Sequence, residues 1–427
     1  MRTVVSKIIA DPSEFKNQLL SWCNPFREIV FLDSNDYLQT YSNYDCILAV
    51  DAFTSIKTDF EKAFEDLHHY QSQTKDWLFG YLSYDLKNDI EDLHSSNYDG
   101  LEFPDLYFFQ PKKLFLLRGN QLEIQYLNIC NDEIEDDLEA ISTNLQQAPH
   151  HLPLKIQQRI SKENYLSKVN TLLEHIQRGD IYEANFCMEF YAEHATINPL
   201  EVFQKLNAIS EPPFAVYFKN NNQFLLSASP ERYLKKEKTK VISQPIKGTA
   251  KRFDVPEADE RSKNELSKNP KERSENIMIV DLVRNDLSHT ATKGSVEVEE
   301  LCKIYTFKQV HQMISTVVSN VAPNTSPIEL LRTTFPMGSM TGAPKISAMN
   351  IIENLEETKR GLYSGAVGYF TPTGDFDFNV VIRSILYNAS NQYVSFSVGS
   401  AITSLSEPSK EYEECLLKAK AMFEVLQ

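Results

Sequence analysis

No two cysteines in this sequence stand at CxxC spacing: Cys23, Cys46, Cys130, Cys187, Cys302 and Cys415 are scattered along 427 residues. That speaks against a cysteine metal cluster and fits reduced, packed thiols in a cytoplasmic protein. Basic residues are short as well, 43 Lys and Arg against 59 Asp and Glu, for a formal net charge of -16. A broad nucleic-acid or anionic-membrane surface needs clustered Lys and Arg, so neither is expected as a partner, whereas a small anion held in a local pocket stays open. Long apolar runs are missing. Met1 to Ala10 meets Asp11, Glu14 and Lys16 without the apolar core of a secretion signal, and no stretch reaches the length that crosses a bilayer. Internal repeats and low-complexity tracts are absent too.

What is present is enough chain for two or three domains or one large composite fold. Short apolar runs (Ile29 to Leu32, Cys46 to Val50, Trp77 to Leu82, Leu106 to Phe109, Lys113 to Leu117) alternate with polar turns and predict a sheet-rich N-terminal region, 1–150. An acidic helical stretch, Asn131 to Leu145, leads into a linker at Gln146 to Pro153, in which His150 and His151 read as solvated rather than as ligands. The second region, 151–427, opens with a helix from Ser161 that Gly179 should end. Strands follow at Phe214 to Phe218, Phe224 to Ser227 and Lys240 to Ser243, and a helix is expected from Asn269-Pro270 to about Asp286. Late strands at Gly365 to Phe370, Asn379 to Leu386 and Tyr393 to Val398 precede a last helix from Ser406-Glu407-Pro408 through Phe423. Hairpin-like strands with intervening helices point to an α+β layered fold rather than a βαβ repeat.

Four features could carry chemistry. Glu272 and Glu275 on one helix, and Glu411 and Glu414 on another, each share a face near the helix start. Such pairs either complement the helix dipole or offer oxygens to a hard cation such as Mg2+. Ser229-Pro230-Glu231-Arg232 follows a strand and precedes Lys247 by sixteen residues, enough for a hairpin. Glu231 is then an edge carboxylate or, if the hairpin closes over a pocket, a general acid. Lys247, in the apolar turn Gln244-Pro245-Ile246-Lys247-Gly248-Thr249, is a solvated strand-end lysine or a nucleophile whose amine is kept neutral by desolvation or a cationic neighbour. The small-residue stretches Phe335 to Lys345 and Gly399-Ser400-Ala401 suit an anion, and Arg383, in an apolar strand, is a carboxylate clamp or half of a buried ion pair.

In order and spacing these stretches resemble the chorismate-utilising enzymes, most closely the aminodeoxychorismate synthase large subunits. Gly179 to Asn185, Ser229 to Arg232, Pro245 to Thr249, Glu275 to Asp286, Gly338 to Lys345, Gly365 to Tyr369, Asp377 to Ser384 and Glu411 to Glu414 carry the resemblance, and the N-terminal region shares Phe79-Gly80-Tyr81 to Asp85. The resemblance implies layered α/β/β/α architecture with largely antiparallel packed sheets. It implies Mg2+ on Glu275 and Glu414, with Glu272 and Glu411 in support, holding the ring carboxylate of chorismate beside the backbone of Gly399, Ser400 and Ala401. Tyr369 and Arg383 would bind the enolpyruvyl carboxylate, and Ser339 and Thr341 would line the pocket. Lys247 stands where anthranilate- and isochorismate-forming relatives usually have Ala. It would attack ring C2 while Glu231 protonates the departing C4 hydroxyl, after which ammonia displaces it at C4.

The chain departs from the family at Gln312, where His is usual, at the Gly399-Ser400-Ala401 run, and at Glu183, which replaces the Gln of amine-transferring members and the Lys of water-adding ones. It has no Gly-x-Cys-x-Gly segment, so ammonia is expected from a separate glutamine amidotransferase. Rival readings are an anthranilate synthase and an inactive chorismate-binding regulatory paralogue. Tryptophan near Leu32-Asp33-Ser34 is a further possible ligand.

Overall fold

Polar caps and prolines start the helices where the sequence marks them. In the computed structural model, which describes residues 1–37, 40–143, 153–308 and 310–427, Ser161 accepts from the Asn164 amide to open helix Lys162–Arg178. Gly179, at φ 85°, closes it, since an L side chain is disfavoured there. Asn269 accepts from the amides of Lys271 and Glu272 at the head of helix Pro270–Ser288, and the last helix spans Pro408–Leu426. The acidic stretch forms helix Ile134–Thr143. The linker positions Gln146 to Leu152, with His150 and His151, lie outside the described residues.

Every strand pairing between the named strands is antiparallel, and all the described strands join one hydrogen-bonded network that folds back on itself. The hinge is Leu106–Arg118. The apolar runs Leu106 to Phe109 and Lys113 to Leu117 predict two strands there; the structure has one, continuous through Pro111, which lies opposite Ala52 at a bulge in Cys46–Thr58. A bulge leaves an amide unpaired, which is where a proline is tolerated in a ladder. The half of the hinge strand after Pro111 pairs with Gln121–Leu127, and the half before it with Leu78–Leu82.

One arm continues through Cys46–Thr58, Glu28–Asp33, Phe214–Asn220, Gln223–Ser229, Ser384–Asn388, Tyr393–Thr403 and Glu183–Ala192. The other runs from Leu78–Leu82 through Ala366–Phe370, Phe376–Val380, Arg232–Glu237 and Lys240–Gln244 to Val310–Asn320, which also pairs with Ile246–Lys251 and Glu297–Thr306. Strands from both sides of position 150 therefore share each arm.

Alternation along the strands divides the core. Ile29 and Phe31 face helices Pro12–Cys23, Lys162–Arg178, Pro199–Ser210 and Pro408–Leu426, while Val30 between them faces the other arm. Between the arms Tyr81 meets Phe218 edge-on at 5.3 Å. Helices Ala63–Thr74, Pro270–Ser288 and Pro327–Thr334 cover the second arm, giving α/β/β/α layers. Each fully buried Phe or Leu in these layers contributes about 1.5–3 kcal/mol.

Asn379 to Leu386, expected as one strand, breaks into Phe376–Val380 and Ser384–Asn388 because Arg383 sits at φ 51°. Gly399-Ser400-Ala401, expected as a turn after a strand, lies inside Tyr393–Thr403.

Candidate active site

Glu231 and Lys247 are brought together by the expected hairpin, Arg232–Glu237 on Lys240–Gln244, in which Arg232 pairs with Gln244. Glu231 is 4% exposed and accepts from Ser339 Oγ at 2.6 Å. Burial pushes its carboxyl up to about 7, against the pull of Ser339 and Lys247. An acid poised there can donate a proton at neutral pH.

Lys247 lies on strand Ile246–Lys251, 9% exposed, and its ammonium donates to Glu183 Oε1 at 2.8 Å, linking the edges of the two arms. The expectation of a lysine kept neutral by its surroundings is corrected here. Burial lowers its pKa, but Glu183 first, then Glu275 and Glu231, raise it above the ordinary lysine value, so the resting amine is held protonated. The next residue explains the close approach. Gly248 has φ 93°, and a Cβ there would stand 3.1 Å from Glu272 Oε2. Asn276 then ties the strand to the helix by donating to the carbonyls of Lys247 and Met313.

The four predicted metal-site glutamates lie near the heads of helices Pro270–Ser288 and Pro408–Leu426. Lys271 stands between them, 3.7 Å from Glu275 and 3.1 Å from Glu411, where a cation is wanted. Burial pushes Glu275 up to about 7, against Lys247 and Lys271, and its buried Oε1 has no hydrogen-bond partner. Burial, then the charge of Glu414, raises Glu272. Glu414 is lowered by Lys418, 2.7 Å away. Among the described residues no three His, Cys, Asp or Glu converge as a cage. The donor set still fits Mg2+, which takes one or two carboxylates and fills its shell with water and substrate oxygens.

The Arg383 carbonyl accepts from the Ala228 amide, whereas its half-buried guanidinium makes no hydrogen bond or ion pair shown among the described residues. Burial lowers its pKa to about 10, and Glu231 is the charge that opposes this. A guanidinium left so is poised for an anion. Strand Tyr393–Thr403 pairs with Ser384–Asn388 from Tyr393 to Ser395, so from Phe396 onward it has a strand neighbour on one side only among the described residues. Gly399 lies on that stretch, paired to Cys187, and its carbonyl accepts from Lys418. A Cβ at Gly399 would meet Cys187 Sγ at 2.6 Å. Ala401, paired with Asn185, shares the face of Gly399, whereas Ser400 faces away and meets the Tyr165 hydroxyl at 3.1 Å.

Two further residues sit elsewhere than expected. Thr341 is fully buried, and its hydroxyl turns back on the carbonyls of Met337 and Gly338. Tyr369 pairs with Asp377, three steps down the ladder from Val380 and so about 10 Å from the Glu231 end. It packs on Trp77 and Phe79 and lines a different cleft, of about 510 Å³, with Leu32, Asp33, Ser34, Arg232 and Asp377.

A family model for chorismate binding enzymes matches residues 20–424. The chain belongs to the chorismate-binding enzymes. The anthranilate synthase component I-like protein of Synechocystis sp. is 35% identical over 360 residues, 82% of this chain and 72% of that protein. Aminodeoxychorismate synthase component 1 of Bacillus subtilis is 30% identical over 390 residues, 88% and 80%. The chloroplastic aminodeoxychorismate synthase of Arabidopsis thaliana is 36% identical over 310 residues, 72% of this chain but 33% of that protein, so the chain spans about a third of it. Anthranilate synthase component I from Streptococcus pneumoniae shares the fold at TM-score 0.80 and 24% identity, covering 91% of this chain and 94% of that one. The menaquinone-specific isochorismate synthase from Escherichia coli does so at 0.78 and 16%, covering 100% and 95%.

Within this chorismate-binding fold several residues about the site went unread in the sequence. Arg360 is buried and donates to the carbonyls of Met340 and Asn185 and to Glu356, which accepts from the Cys187 amide. It thereby fixes the Ser339 turn against strand Glu183–Ala192. The Tyr363 hydroxyl lies by Cys187, opposite Gly399 in register, so Tyr363 rather than Tyr369 is the tyrosine near Gly399. The i,i+4 pair Glu356 and Arg360 is the signal that was available. His311 turns away to Asp259, and Gln312 is buried with its Oε1 unpartnered.

Proposed function

We propose that this chain is the aminating subunit of an aminodeoxychorismate synthase, converting chorismate and ammonia to 4-amino-4-deoxychorismate for 4-aminobenzoate and folate synthesis. The observation that carries the reading is the buried Lys247 amine, hydrogen-bonded to Glu183 and within electrostatic reach of a buried carboxylic acid, Glu231, which burial pushes up to about 7. Arg383 would take a substrate carboxylate. Lys247 would bond to ring C2 as the ring double bonds shift and the C4–O bond breaks, with the proton for the leaving hydroxyl coming from Glu231, oriented by Ser339. Ammonia then bonds at C4 and the double bonds shift back to release Lys247. Glu275 and Glu414, with Glu272 and Glu411 nearby, would hold Mg2+, which when bound polarises the ring carboxylate. Ammonia would come from a separate glutaminase subunit, since the chain has no Gly-x-Cys-x-Gly nucleophile. The six free, buried cysteines are consistent with a cytoplasmic setting, and no helix among the described residues is long and apolar enough to cross a membrane.

The test is product analysis with chorismate, Mg2+ and ammonia. Wild type should form 4-amino-4-deoxychorismate, Lys247→Ala should not, and chelation of divalent cations should stop turnover. Unchanged product from Lys247→Ala removes the covalent role. The Synechocystis relative favours a second reading, anthranilate synthesis, and anthranilate with pyruvate from the wild type would establish it instead. For the Ser34 cleft, where Ser34 Oγ is buried without a partner, we propose tryptophan as a ligand. A calorimetric titration without heat or stability change would reject that.

A further inference from the structure

The mechanism above leaves one proton without a carrier. Lys247 rests as an ammonium, yet only the neutral amine can bond to carbon. The groups that face it are Glu183 from strand Glu183–Ala192, Glu231 from the turn before the hairpin, Glu275 from helix Pro270–Ser288, and Glu414 and Lys418 from the last helix. Only Glu183 makes a hydrogen bond to its ammonium among the described residues, at 2.8 Å. Glu183 is 1% exposed, and its second oxygen, Oε2, is buried with no hydrogen-bond partner. The carboxylate is also rigidly mounted, on a residue paired with Thr403 on one side and Ala343 on the other. Fixed backbone on both sides is what keeps a proton carrier in line with its partner.

We propose that Glu183 carries the Lys247 proton through both halves of the amination. In the first half an N–H bond of the ammonium breaks as a Glu183 O–H bond forms, and the freed lone pair bonds to the ring carbon. In the second half the bond between Lys247 and the ring breaks, and Glu183 returns its proton to the departing amine. The pair ends with the protons it began with, and bulk solvent takes no part. Oε2, free at rest, is the acceptor left for an N–H of the incoming ammonia. This role rests on the aminating reading of the site.

The test is the pH dependence of ammonia-driven kcat/KM between pH 6 and 10 for wild type, Glu183→Gln and Glu183→Asp, each checked for folding by circular dichroism and Tm. In the wild type the proton moves inside the pair, so Lys247 adds no acid limb across neutral pH. In Glu183→Gln the lysine must lose its proton to solvent, so the rate should fall tenfold per pH unit below the lysine pKa. It should be about 100-fold under wild type at pH 7, a deficit that closes toward pH 10 when the two are compared at equal free ammonia, the ionisation of Glu231 being common to both. Glu183→Asp keeps the wild-type profile at reduced kcat. A loss by the same factor at every pH, or an unchanged profile, overturns the role. Competitive acylation of Lys247 in the free enzyme, read by mass spectrometry, should show a lower amine pKa in Glu183→Gln; an unmoved pKa also overturns it. A wild type that makes no aminodeoxychorismate removes the aminating reading and this role with it, whereas product with unaltered profiles removes the role alone.

Discussion

Glu231→Gln should make the protein slower and more stable at once, and the two effects have one cause. Burial holds the Glu231 carboxyl at about 7 where an unperturbed glutamate has 4.5. A raised carboxyl stabilises the fold fully below pH 4.5, and that contribution is lost as pH climbs through 7. At about 1.4 kcal/mol per pH unit of displacement, the ionised form costs the folded state about 3 kcal/mol at pH 8.5. Glutamine has the same shape, keeps an oxygen for Ser339 Oγ and never ionises, so it should recover most of that at pH 8.5 and little at pH 4. Catalysis should fall about 100-fold or more, because the proton for the C4 hydroxyl is gone. The assay pairs scanning calorimetry at pH 4 and 8.5 with ammonia-dependent product formation. Glu275, also pushed to about 7, is common to both proteins and drops out of the comparison. Equal differences between the two pH values in wild type and variant would refute the burial argument, and a retained rate would refute the acid.

Two other substitutions separate binding from architecture. Arg383→Gln removes a desolvated cation with no partner shown in the fold, so the free protein should be at least as stable in thermal unfolding. Its KM for chorismate should rise tenfold to a hundredfold, about 1.5–3 kcal/mol for a charged hydrogen-bond partner, with a smaller effect on kcat. Gly248→Ala places a side chain at φ 93° and 3.1 Å from Glu272. It should cost about 1–2 kcal/mol in urea unfolding from backbone strain alone and lower turnover by displacing the Lys247 strand.

Local chemistry made much of this legible. Ser161, Gly179, Asn269 and Pro408 mark helix ends because capping depends on a few adjacent residues. The Glu231 to Lys247 hairpin followed from its spacing, and the two glutamate pairs from helical periodicity. Three readings failed because they turn on long-range contacts. Arg383 sits at a strand break that its apolar neighbours conceal. Tyr369 belongs to the other cleft because ladder register, not motif membership, sets its depth. Lys247 is charged rather than neutral because Glu183, distant in sequence, lies across the gap between the arms.

Charge around the site bears on how binding of substrate and metal must be linked. Lys247, Lys271, Lys418 and Arg383 are four cations; Glu183, Glu231, Glu272, Glu275, Glu411 and Glu414 are six carboxylates. With all ionised the cluster carries two surplus negative charges; burial is the main cause of the raised values of Glu231, Glu272 and Glu275, and neighbouring carboxylates add to it at Glu272 and Glu275. Chorismate would add two carboxylates more. Buried like charges repel strongly, so a dianion enters such a cluster only if positive charge comes with it. Protonated Glu231 supplies one and the proposed divalent cation two, which together offset the substrate and half of the surplus. Lys271, 3.7 Å from Glu275 and 3.1 Å from Glu411, already supplies one of the four cations counted at that place. On this reasoning the acidic lining would not oppose a dianionic substrate; it would make the substrate's entry conditional on the proposed cation and on the proton that the proposed first bond-breaking step consumes.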